Sequence, residues 1–309
     1  MLTPPLGLLR SRLLPIVTLR SVHLWVPVAL AAWWGRSDAG TPPPRFGHVF
    51  ILVEENHDYA DVIGNPAMPY LNRLAKEYGL ATQYYANTHP SIGNYFMLTV
   101  GDTVTNKDDF SGLVTADNIV RQLLAAGKTW KSYAEDLPSI GYTGDGPGLY
   151  ARRHNPLSYL SDAVNDSVQR QRLVPFSQLA VDVANRTLPN YGFIVPNLCH
   201  DAHSCAADSA DQWLQTNIPP LIASPDFQGD GLLIIVFDEA KDAATGGGGR
   251  VVWVAVSPKS KRGYESATRY QHESTLRLAA EGLGLTRFPG AAAAAPNMAE
   301  FFESQRKTP

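Results

Sequence analysis

Two runs of consecutive apolar residues do most to constrain how this chain can fold. Residues 48–53 and 232–237 are apolar at nearly every position. Such runs are typical of strands that are buried on both faces, as in a parallel sheet covered by helices. Further apolar runs alternate with segments of helical periodicity along the chain. The sequence therefore predicts an α/β fold with a mostly parallel central sheet and helices on both faces.

The other elements follow from periodicity and from residues that start or stop helices. Asp117 is placed to cap one helix, and Gly79, Gly127 and Gly284 are placed to end three of them. The predicted helices are residues 68–78, 119–124, the region around 211–217, and 272–283; the further predicted strands are residues 129–133, 191–195 and 251–256.

Polar residues with oxygen ligands follow three of the predicted strands. Glu55, Asn197 and Asp238 each come shortly after a strand. Because ligands bind at the carboxyl ends of the strands in open α/β sheets, we expect these residues to converge on one edge.

The acidic residues at these strand ends occur in close pairs. Asp238 and Glu239 are adjacent, and their like charges repel at that range. A divalent cation would remove this cost, and Glu55 with Asn56 offers a second carboxylate and an amide oxygen. An oxygen-rich set of this kind favours Ca²⁺, Mg²⁺ or Mn²⁺. Each pair taken alone is also compatible with a solvated turn.

A hydroxyl group lies on a turn just ahead of another apolar run. Ser91 follows Pro90, and the residues after it can start a helix. The free N–H groups at a helix N-terminus bind anions, most often phosphate. Asn94 follows three residues later with a side-chain amide. A serine that only caps the helix is the alternative.

Composition limits the class of protein. The 309 residues are 44% hydrophobic and 18% charged, with a formal net charge of −3. This is ordinary globular composition, enough for one large domain or two small ones, and we expect residues 46–309 to form a single domain. The near-neutral charge argues against a nucleic-acid partner, which would normally require a basic stripe.

The N-terminal residues 1–40 have the order of a targeting segment. Arginines precede a short apolar stretch, residues 24–34, and small residues follow it. A secretory signal has this order, and the stretch is shorter than the roughly 20 residues that a membrane span needs. Residues 41–45 are then predicted to be a Pro-rich linker. We expect a secreted or periplasmic protein without a stable membrane span after processing; a short membrane anchor is the alternative.

The chain contains two cysteines, Cys199 and Cys205. Export would favour a disulfide between them. That bond would close a small ring around His200, Asp201 and His203. Two free thiols are the alternative.

Four segments of the chain resemble a known family. They are similar to motifs of the bacterial and fungal phosphoesterases that include acid phosphatases and phosphatidylcholine-type phospholipases C, within the alkaline-phosphatase-like superfamily. The resemblance spans roughly residues 46–285. The four segments are residues 53–59 (VEENHDY), 88–95 (THPSIGNY), 195–203 (VPNLCHDAH) and 236–239 (VFDE).

The resemblance implies one divalent metal ion and a serine nucleophile. Ser91 would attack phosphorus and form a phosphoserine, which water would then release. Asn94 would donate to a phosphate oxygen. Ca²⁺, Mg²⁺ or Mn²⁺ is favoured, Zn²⁺ is possible, and a two-metal zinc site is the alternative. The metal ligands implied by the resemblance are Glu55 or its neighbour, Asn56, Ser91, Asp238 and Glu239.

Four histidines near predicted strand ends or helix starts could protonate the leaving oxygen, since histidine titrates near neutral pH. His203 lies in one of these segments and His272 lies in a weaker match, residues 270–274 (YQHES), so these two are the catalytic candidates. His154, His200 and Asp201 are assigned to substrate binding. Each histidine could equally be structural, and Asp201 could instead bind a second metal or orient a histidine.

The sequence thus predicts an exported, metal-dependent hydrolase of phosphoric esters, with acid phosphatase activity as the first hypothesis. Its substrate would be a small phosphorylated compound or a phospholipid head group. A phospholipase C or another phosphodiesterase using the same site is one alternative. A non-catalytic protein that binds metal and phosphate with the same fold is another. A sulfatase-like enzyme is disfavoured because the Cys/Ser-X-Pro-X-Arg motif is absent from the sequence.

Overall fold

The computed structural model describes residues 41–242 and 244–303. The predicted targeting segment, residues 1–40, lies outside them, so that prediction stays untested. Within the described ranges, no helix is both long enough and apolar enough to cross a membrane.

A large sheet forms the centre of the fold. Its strand order is β5–β4–β6–β1–β7–β8–β2–β9, and β3 pairs with β10 in a separate two-stranded sheet. The strands in the described part of the chain are β1 (His48–Glu54), β2 (Gly79–Ala81), β3 (Tyr84–Tyr85), β4 (Trp130–Ala134), β5 (Leu173–Pro175), β6 (Tyr191–Val195), β7 (Gly231–Phe237), β8 (Trp253–Val256), β9 (Tyr264–Ser266) and β10 (Tyr270–Gln271).

The predicted fold class is confirmed. Strands β5, β4, β6, β1 and β7 are parallel neighbours, whereas β8 is antiparallel to both β7 and β2. All seven residues of β7 are buried, so both faces of the sheet are covered there. This is the burial that a continuous apolar run requires.

Helices flank the sheet. Contacts join α2 to β2 and β8, and α10 to β1 and β7. Within residues 41–242 and 244–303, the α-helices are α1 (Tyr59–Val62), α2 (Pro69–Glu77), α3 (Ser91–Met97), α4 (Ile119–Ala125), α5 (Ser161–Val164), α6 (Ser167–Arg170), α7 (Gln178–Asn185), α8 (Ala207–Asn217), α9 (Pro219–Ile222), α10 (Pro225–Asp230) and α11 (His272–Gly282).

Two predictions about helix ends are wrong for local reasons. Gly79 does not end α2 but is the first residue of β2. A Cβ at this position would lie 2.9 Å from the ring of Phe301, so close packing explains the glycine. The cap of α4 is Asn118, whose side chain accepts from the N–H of Arg121. Asp117 instead accepts from the N–H of Asn118.

The predicted linker, residues 41–45, is packed at its C-terminal end. Pro43 and Pro44 are buried. The Arg45 guanidinium donates to the main-chain oxygen of Glu281 at 2.8 Å. The end of this segment therefore belongs to the packed fold and is not a free spacer.

Candidate active site

The carboxyl ends of β6, β1 and β7 lie side by side, because these strands are parallel neighbours. Main-chain hydrogen bonds join the segments that follow them. Asp238 N donates to Glu54 O at 2.9 Å, and Glu55 N donates to Asp201 O at 2.7 Å. The expected convergence is therefore observed for Glu55 and Asp238, whereas the loop after β6 contributes Asp201. The Asn197 side chain instead donates to Asp136 Oδ2 at 2.8 Å.

Ser91 lies among these residues as the first residue of α3. Its Oγ donates to Glu55 Oε2 at 3.0 Å and lies 3.4 Å from Glu239 Oε1. The hydroxyl is thus held between the carboxylate that follows β1 and one that follows β7. Glu55, rather than its neighbour Glu54, is the residue that reaches Ser91.

Three carboxyl groups crowd around the Ser91 hydroxyl. Burial, and then repulsion from Asp238, raises the pKa of Glu55 well above its usual range. Burial, and then the charge of Glu239, does the same to the pKa of Asp238. Burial raises the pKa of Glu239 to about 7. Three ionised carboxylates at this separation need a compensating cation or protons.

The donor set fits a divalent cation. Asp238 Oδ1 accepts from the main-chain N–H groups of Asn56 and Glu239, at 3.1 and 2.6 Å. Asp238 Oδ2 is buried and has no hydrogen-bond partner. A buried carboxylate oxygen without a donor, beside two further carboxyl groups, is suited to a hard cation.

The charges of the carboxylates are not offset by strong bases. Among the described residues, no lysine or arginine forms an ion pair with Glu55, Asp238 or Glu239. The side chains at ion-pair distance are histidines: His89 Nδ1 lies 2.9 Å from Glu239 Oε2, and His154 Nε2 lies 3.4 Å from Glu55 Oε1. Because histidines, and no lysine or arginine within the described ranges, lie at ion-pair distance from these carboxylates, a bound cation is also favoured.

His154 and Asp201 extend the site on the far side of Glu55. His154 Nδ1 lies 3.1 Å from Asp201 Oδ2, while Nε2 is buried without a hydrogen-bond partner. Burial is the main cause that lowers the pKa of His154. A neutral ring that donates from Nδ1 to Asp201 presents the Nε2 lone pair toward Glu55. Glu55, His154 and Asp201 offer ligand atoms within 4.8 Å of one another and could hold a metal ion.

Comparison with known proteins identifies the family. A model described as "Phosphoesterase family" matches residues 65–286. The chain belongs to the phosphoesterase family. Membership confirms the class expected from the sequence, hydrolases that act on phosphoric esters.

Several relatives of this phosphoesterase carry descriptive names. It is 35% identical over 217 residues to a phosphatidylinositol-3-phosphatase of Mycobacterium tuberculosis, covering 68% of this chain and 70% of that protein. It is 34% identical over 176 residues to a phosphate-repressible acid phosphatase of Penicillium chrysogenum, covering 55% of this chain and 43% of that one. A probable acid phosphatase of Kluyveromyces lactis is 32% identical over 243 residues, covering 75% and 56%. The chain therefore spans about half the length of these fungal relatives.

A solved structure with the same fold is a protein of the alkaline phosphatase superfamily from Vibrio parahaemolyticus. It matches with a TM-score of 0.55 at 13% identity, covering 79% of this chain and 67% of that one. The lipoteichoic acid synthase LtaP of Listeria monocytogenes matches with a TM-score of 0.54 at 12% identity, covering 79% and 75%. These similarities confirm the expected fold.

Asn94 is held by hydrogen bonds within the site, and its expected donation to a phosphate oxygen stays a prediction. Its Nδ2 donates to Thr88 O at 2.8 Å and to Glu239 Oε2 at 3.2 Å. Its Oδ1 accepts from the N–H groups of Asn87 and Thr88. The side chain is fully buried, and its two N–H donors are already used. Asn94 therefore fixes the turn before Ser91 and the position of Glu239.

His272 is not placed as an accessible proton donor, which corrects its assignment. It is fully buried, and burial lowers its pKa to about 4. Nε2 lies 2.6 Å from Asp238 O, and Nδ1 lies 3.1 Å from Tyr84 Oη. Thr275 and Trp253 continue this chain of hydrogen bonds. His272 thus supports the turn that carries Asp238 from behind.

His200 and His154, the two histidines assigned to substrate binding, lie in different surroundings, and that assignment stays a prediction. His200 Nδ1 lies 2.9 Å from Glu135 Oε2, and the ring stacks on Trp213. Glu135 also accepts from the indole N–H of Trp213 at 3.1 Å. His200 therefore ties the loop after β6 to the end of β4, whereas His154 faces Glu55 inside the site.

His203 remains the histidine most open to solvent in this loop. Its ring lies 5.8 Å from that of His154 and is exposed, and its main-chain N–H donates to Asp201 Oδ1 at 2.8 Å. Cys199 and Cys205 form the expected disulfide around this loop. The bond fixes the segment that carries Asp201 and His203.

A glycine loop also supports the site, although its sequence suggests only flexibility. Residues 246–249 pack against the turn that leads to Ser91. Gly248 N donates to Ala86 O at 3.1 Å, and Ala240 N donates to Gly248 O at 2.8 Å. A Cβ on Gly247 would lie 1.9 Å from Asn87 O. Only glycine allows this loop to join the acidic pair to the serine turn.

Tyr95 is the main site residue that is not among the candidates predicted from the sequence. Its hydroxyl donates to Glu55 Oε1 at 2.5 Å. Burial, and then the charge of Glu55, raises the pKa of Tyr95 well above its usual range. A usable signal existed, because residues four apart share one face of a helix and Tyr95 is four residues after Ser91. His89, whose Nδ1 lies 2.9 Å from Glu239 Oε2, is a second such residue. It precedes the helix, so helical spacing does not connect it to Ser91.

Proposed function

We propose that this protein is an exported, metal-dependent phosphomonoesterase of the acid phosphatase type that works through a phosphoserine. The observation that carries the proposal is the position of the Ser91 hydroxyl between Glu55 and Glu239, beside the unpartnered Oδ2 of Asp238. A hydroxyl in such a carboxylate cluster has no evident structural purpose, because crowding these charges costs stability.

Glu55, Asp238 and Glu239 would hold one divalent cation, with Ser91 and Asn56 as further oxygen donors. Oxygen ligands favour Ca²⁺, Mg²⁺ or Mn²⁺, while the nearby His154 leaves Zn²⁺ open. Such an ion, when bound, offsets the carboxylate charge, lowers the pKa of a coordinated hydroxyl and neutralises phosphoryl oxygens.

Side chains of the protein carry out the nucleophilic attack and the proton transfers. Ser91 Oγ forms a bond to phosphorus while the bond from phosphorus to the leaving oxygen breaks. The proton of Ser91 has acceptors at Glu55 Oε2 and Glu239 Oε1, 3.0 and 3.4 Å away. His203, exposed at the rim of the site, is the proposed donor of a proton to the leaving oxygen. Water then cleaves the phosphoserine and regenerates the Ser91 hydroxyl.

A phosphomonoester is the favoured substrate class because the named relatives are a phosphatidylinositol-3-phosphatase and acid phosphatases. A phospholipid head group bearing a terminal phosphate belongs to the same class. Diester hydrolysis of the phospholipase C type is the competing possibility.

We expect the purified protein to hydrolyse p-nitrophenyl phosphate and to lose this activity with EDTA. Added Mg²⁺, Mn²⁺, Ca²⁺ or Zn²⁺ should restore it, and the ion that restores most identifies the metal. The rate should exceed that for bis-p-nitrophenyl phosphate and for phosphatidylcholine. Full activity after exhaustive chelation, confirmed by elemental analysis, would refute metal dependence; a faster diester rate would favour the phospholipase C alternative.

Export is proposed from the N-terminal segment and is supported by the disulfide between Cys199 and Cys205. Expressed in a bacterium or yeast with the full N-terminus, the protein should appear outside the cytoplasm without residues of the 1–40 segment. Intact mass spectrometry without reductant should show a linked cysteine pair that alkylation does not modify. Retention in the cytoplasm with two alkylatable thiols would contradict the proposal.

A further inference from the structure

One face of α3 carries three side chains that reach the carboxylate cluster. Ser91, Asn94 and Tyr95 occupy positions i, i+3 and i+4, which share a helix face. Ser91 and Tyr95 donate to the two different oxygens of Glu55: Ser91 to Oε2 at 3.0 Å and Tyr95 to Oε1 at 2.5 Å. Both oxygens of the Glu55 carboxylate therefore accept hydrogen bonds from side chains of a single helix.

The ring of Tyr95 has a second contact in the site. It stacks on His154 with centroids 5.2 Å apart and planes inclined by 4°. His154 is held at its other edge by Asp201 through Nδ1. The ring plane of His154 is thus fixed by both residues, with Nε2 lying 3.4 Å from Glu55 Oε1.

We propose that Tyr95 is a positioning residue, whose hydroxyl sets the Glu55 carboxylate with Oε2 toward Ser91 and whose ring sets His154 with Nε2 toward Oε1. Tyr95 is 1% exposed and lies beneath the carboxylates, so it acts through Glu55 and does not touch substrate. Partners that orient metal ligands commonly change metal affinity or activity by about 10- to 100-fold when removed. The inference rests on the proposed metal-dependent function.

The test is Tyr95→Phe, which keeps the ring and its stacking on His154 but removes the hydroxyl. Tyr133→Phe is the matched control. Tyr133 is equally buried and donates to a carboxylate, Asp182 Oδ2, at 2.7 Å, but it lies on β4 and its partner lies on α7, which carries none of the site residues. Both variants lose a buried tyrosine–carboxylate hydrogen bond, so both should lose similar stability.

Binding of Mn²⁺ to the metal-stripped full chain is measured by calorimetry, and p-nitrophenyl phosphate hydrolysis is measured at saturating Mn²⁺. We expect Tyr95→Phe to raise the Mn²⁺ Kd about 10-fold and to lower kcat by a similar factor. KM should stay within about twofold, because Tyr95 contributes to no substrate contact. Tyr133→Phe should leave all three values unchanged. Tyr95→Leu, which also removes the ring, should give a larger loss if it folds.

Mn²⁺ affinity and kcat of Tyr95→Phe that match those of Tyr133→Phe would overturn the inference while leaving the proposed function intact. If the metal-stripped wild type hydrolyses the ester without binding Mn²⁺, the proposed metal dependence is wrong and the kcat comparison alone decides the role of Tyr95. If it binds Mn²⁺ without hydrolysis, the proposed activity is wrong and the Kd comparison decides. A wild type that neither binds Ca²⁺, Mg²⁺, Mn²⁺ or Zn²⁺ nor hydrolyses the ester with any of them refutes both.

Discussion

Ser91→Ala is expected to lower kcat for p-nitrophenyl phosphate by about 1,000-fold or more, because it removes the atom that bonds to phosphorus. The fold should be retained, since Ser91 contributes only one hydroxyl to the carboxylate cluster. Metal binding should weaken less than activity, because the carboxylates remain. Steady-state kinetics and thermal unfolding of the same preparation measure these effects.

Ser167→Ala is a suitable control. Ser167 is also the first residue of a helix, α6 (Ser167–Arg170), but it is exposed, and α6 carries none of the three carboxylates of the site. It should keep wild-type kinetics. Acid quenching of the wild type during turnover should yield a phosphopeptide that contains Ser91. If Ser91→Ala retains a tenth of wild-type kcat, the nucleophile lies elsewhere and the phosphoserine mechanism fails.

Asp238→Asn is expected to weaken Mn²⁺ binding by about 100-fold and to lower activity at limiting metal accordingly. Asparagine keeps an oxygen at Oδ1 to accept the two main-chain N–H groups, so the turn is preserved. It also removes a buried negative charge. Burial, and then Glu239, raises the pKa of Asp238. A raised carboxyl pKa means that ionisation above the unfolded pKa disfavours the folded apoprotein. The metal-free variant should therefore be as stable as the wild type or more stable.

Asp182→Asn provides the contrast, because this carboxylate is buried with partners. Lys131 Nζ and the Tyr133 hydroxyl donate to its Oδ2 at 2.6 and 2.7 Å. Burial alone would raise the pKa of Asp182, but these hydrogen bonds bring it below its usual value. The stabilisation is present above the unfolded pKa and is lost as the pH falls. Asp182→Asn breaks the ion pair with Lys131 and should lower the free energy of unfolding by about 3 kcal/mol near neutral pH, and by less in acid. Mn²⁺ affinity should not change.

For both metal-free variants, calorimetry measures the Mn²⁺ affinity and chemical unfolding measures the free energy of unfolding. Unchanged metal content of Asp238→Asn by elemental analysis would exclude Asp238 as a ligand. Destabilisation of Asp238→Asn equal to that of Asp182→Asn would mean that Asp238 has a structural role.

Much of the fold and part of the site could be predicted from the residues alone. Continuous apolar runs such as residues 232–237 identify strands buried on both faces, because no other short element hides every side chain. Since the ends of parallel strands share one edge, Glu55 and Asp238 could be placed together before any coordinates. The exact cap of α4 could not, because Asp117 and Asn118 are both competent and only packing selects one.

The roles of individual polar side chains were much harder to predict. The sequence presents His272 and His203 equally as candidates for protonating the leaving oxygen. In the structure His272 is buried behind Asp238, whereas His203 is exposed beside His154. The side-chain amide of Asn94 has two N–H donors, of which one is taken by Thr88 in the turn before Ser91 and the other by Glu239.

Local sequence patterns were enough to predict the class of fold, the strand ends that bear carboxylates and the serine that starts α3. These features depend on local periodicity and on how parallel strands align. Long-range packing was needed to show that Glu55 and not Glu54 contacts Ser91, and that Tyr95 and His154 lie beside Glu55. The reason is physical: which way a side chain points, and which partner satisfies it, depends on packing between segments that are far apart in the chain.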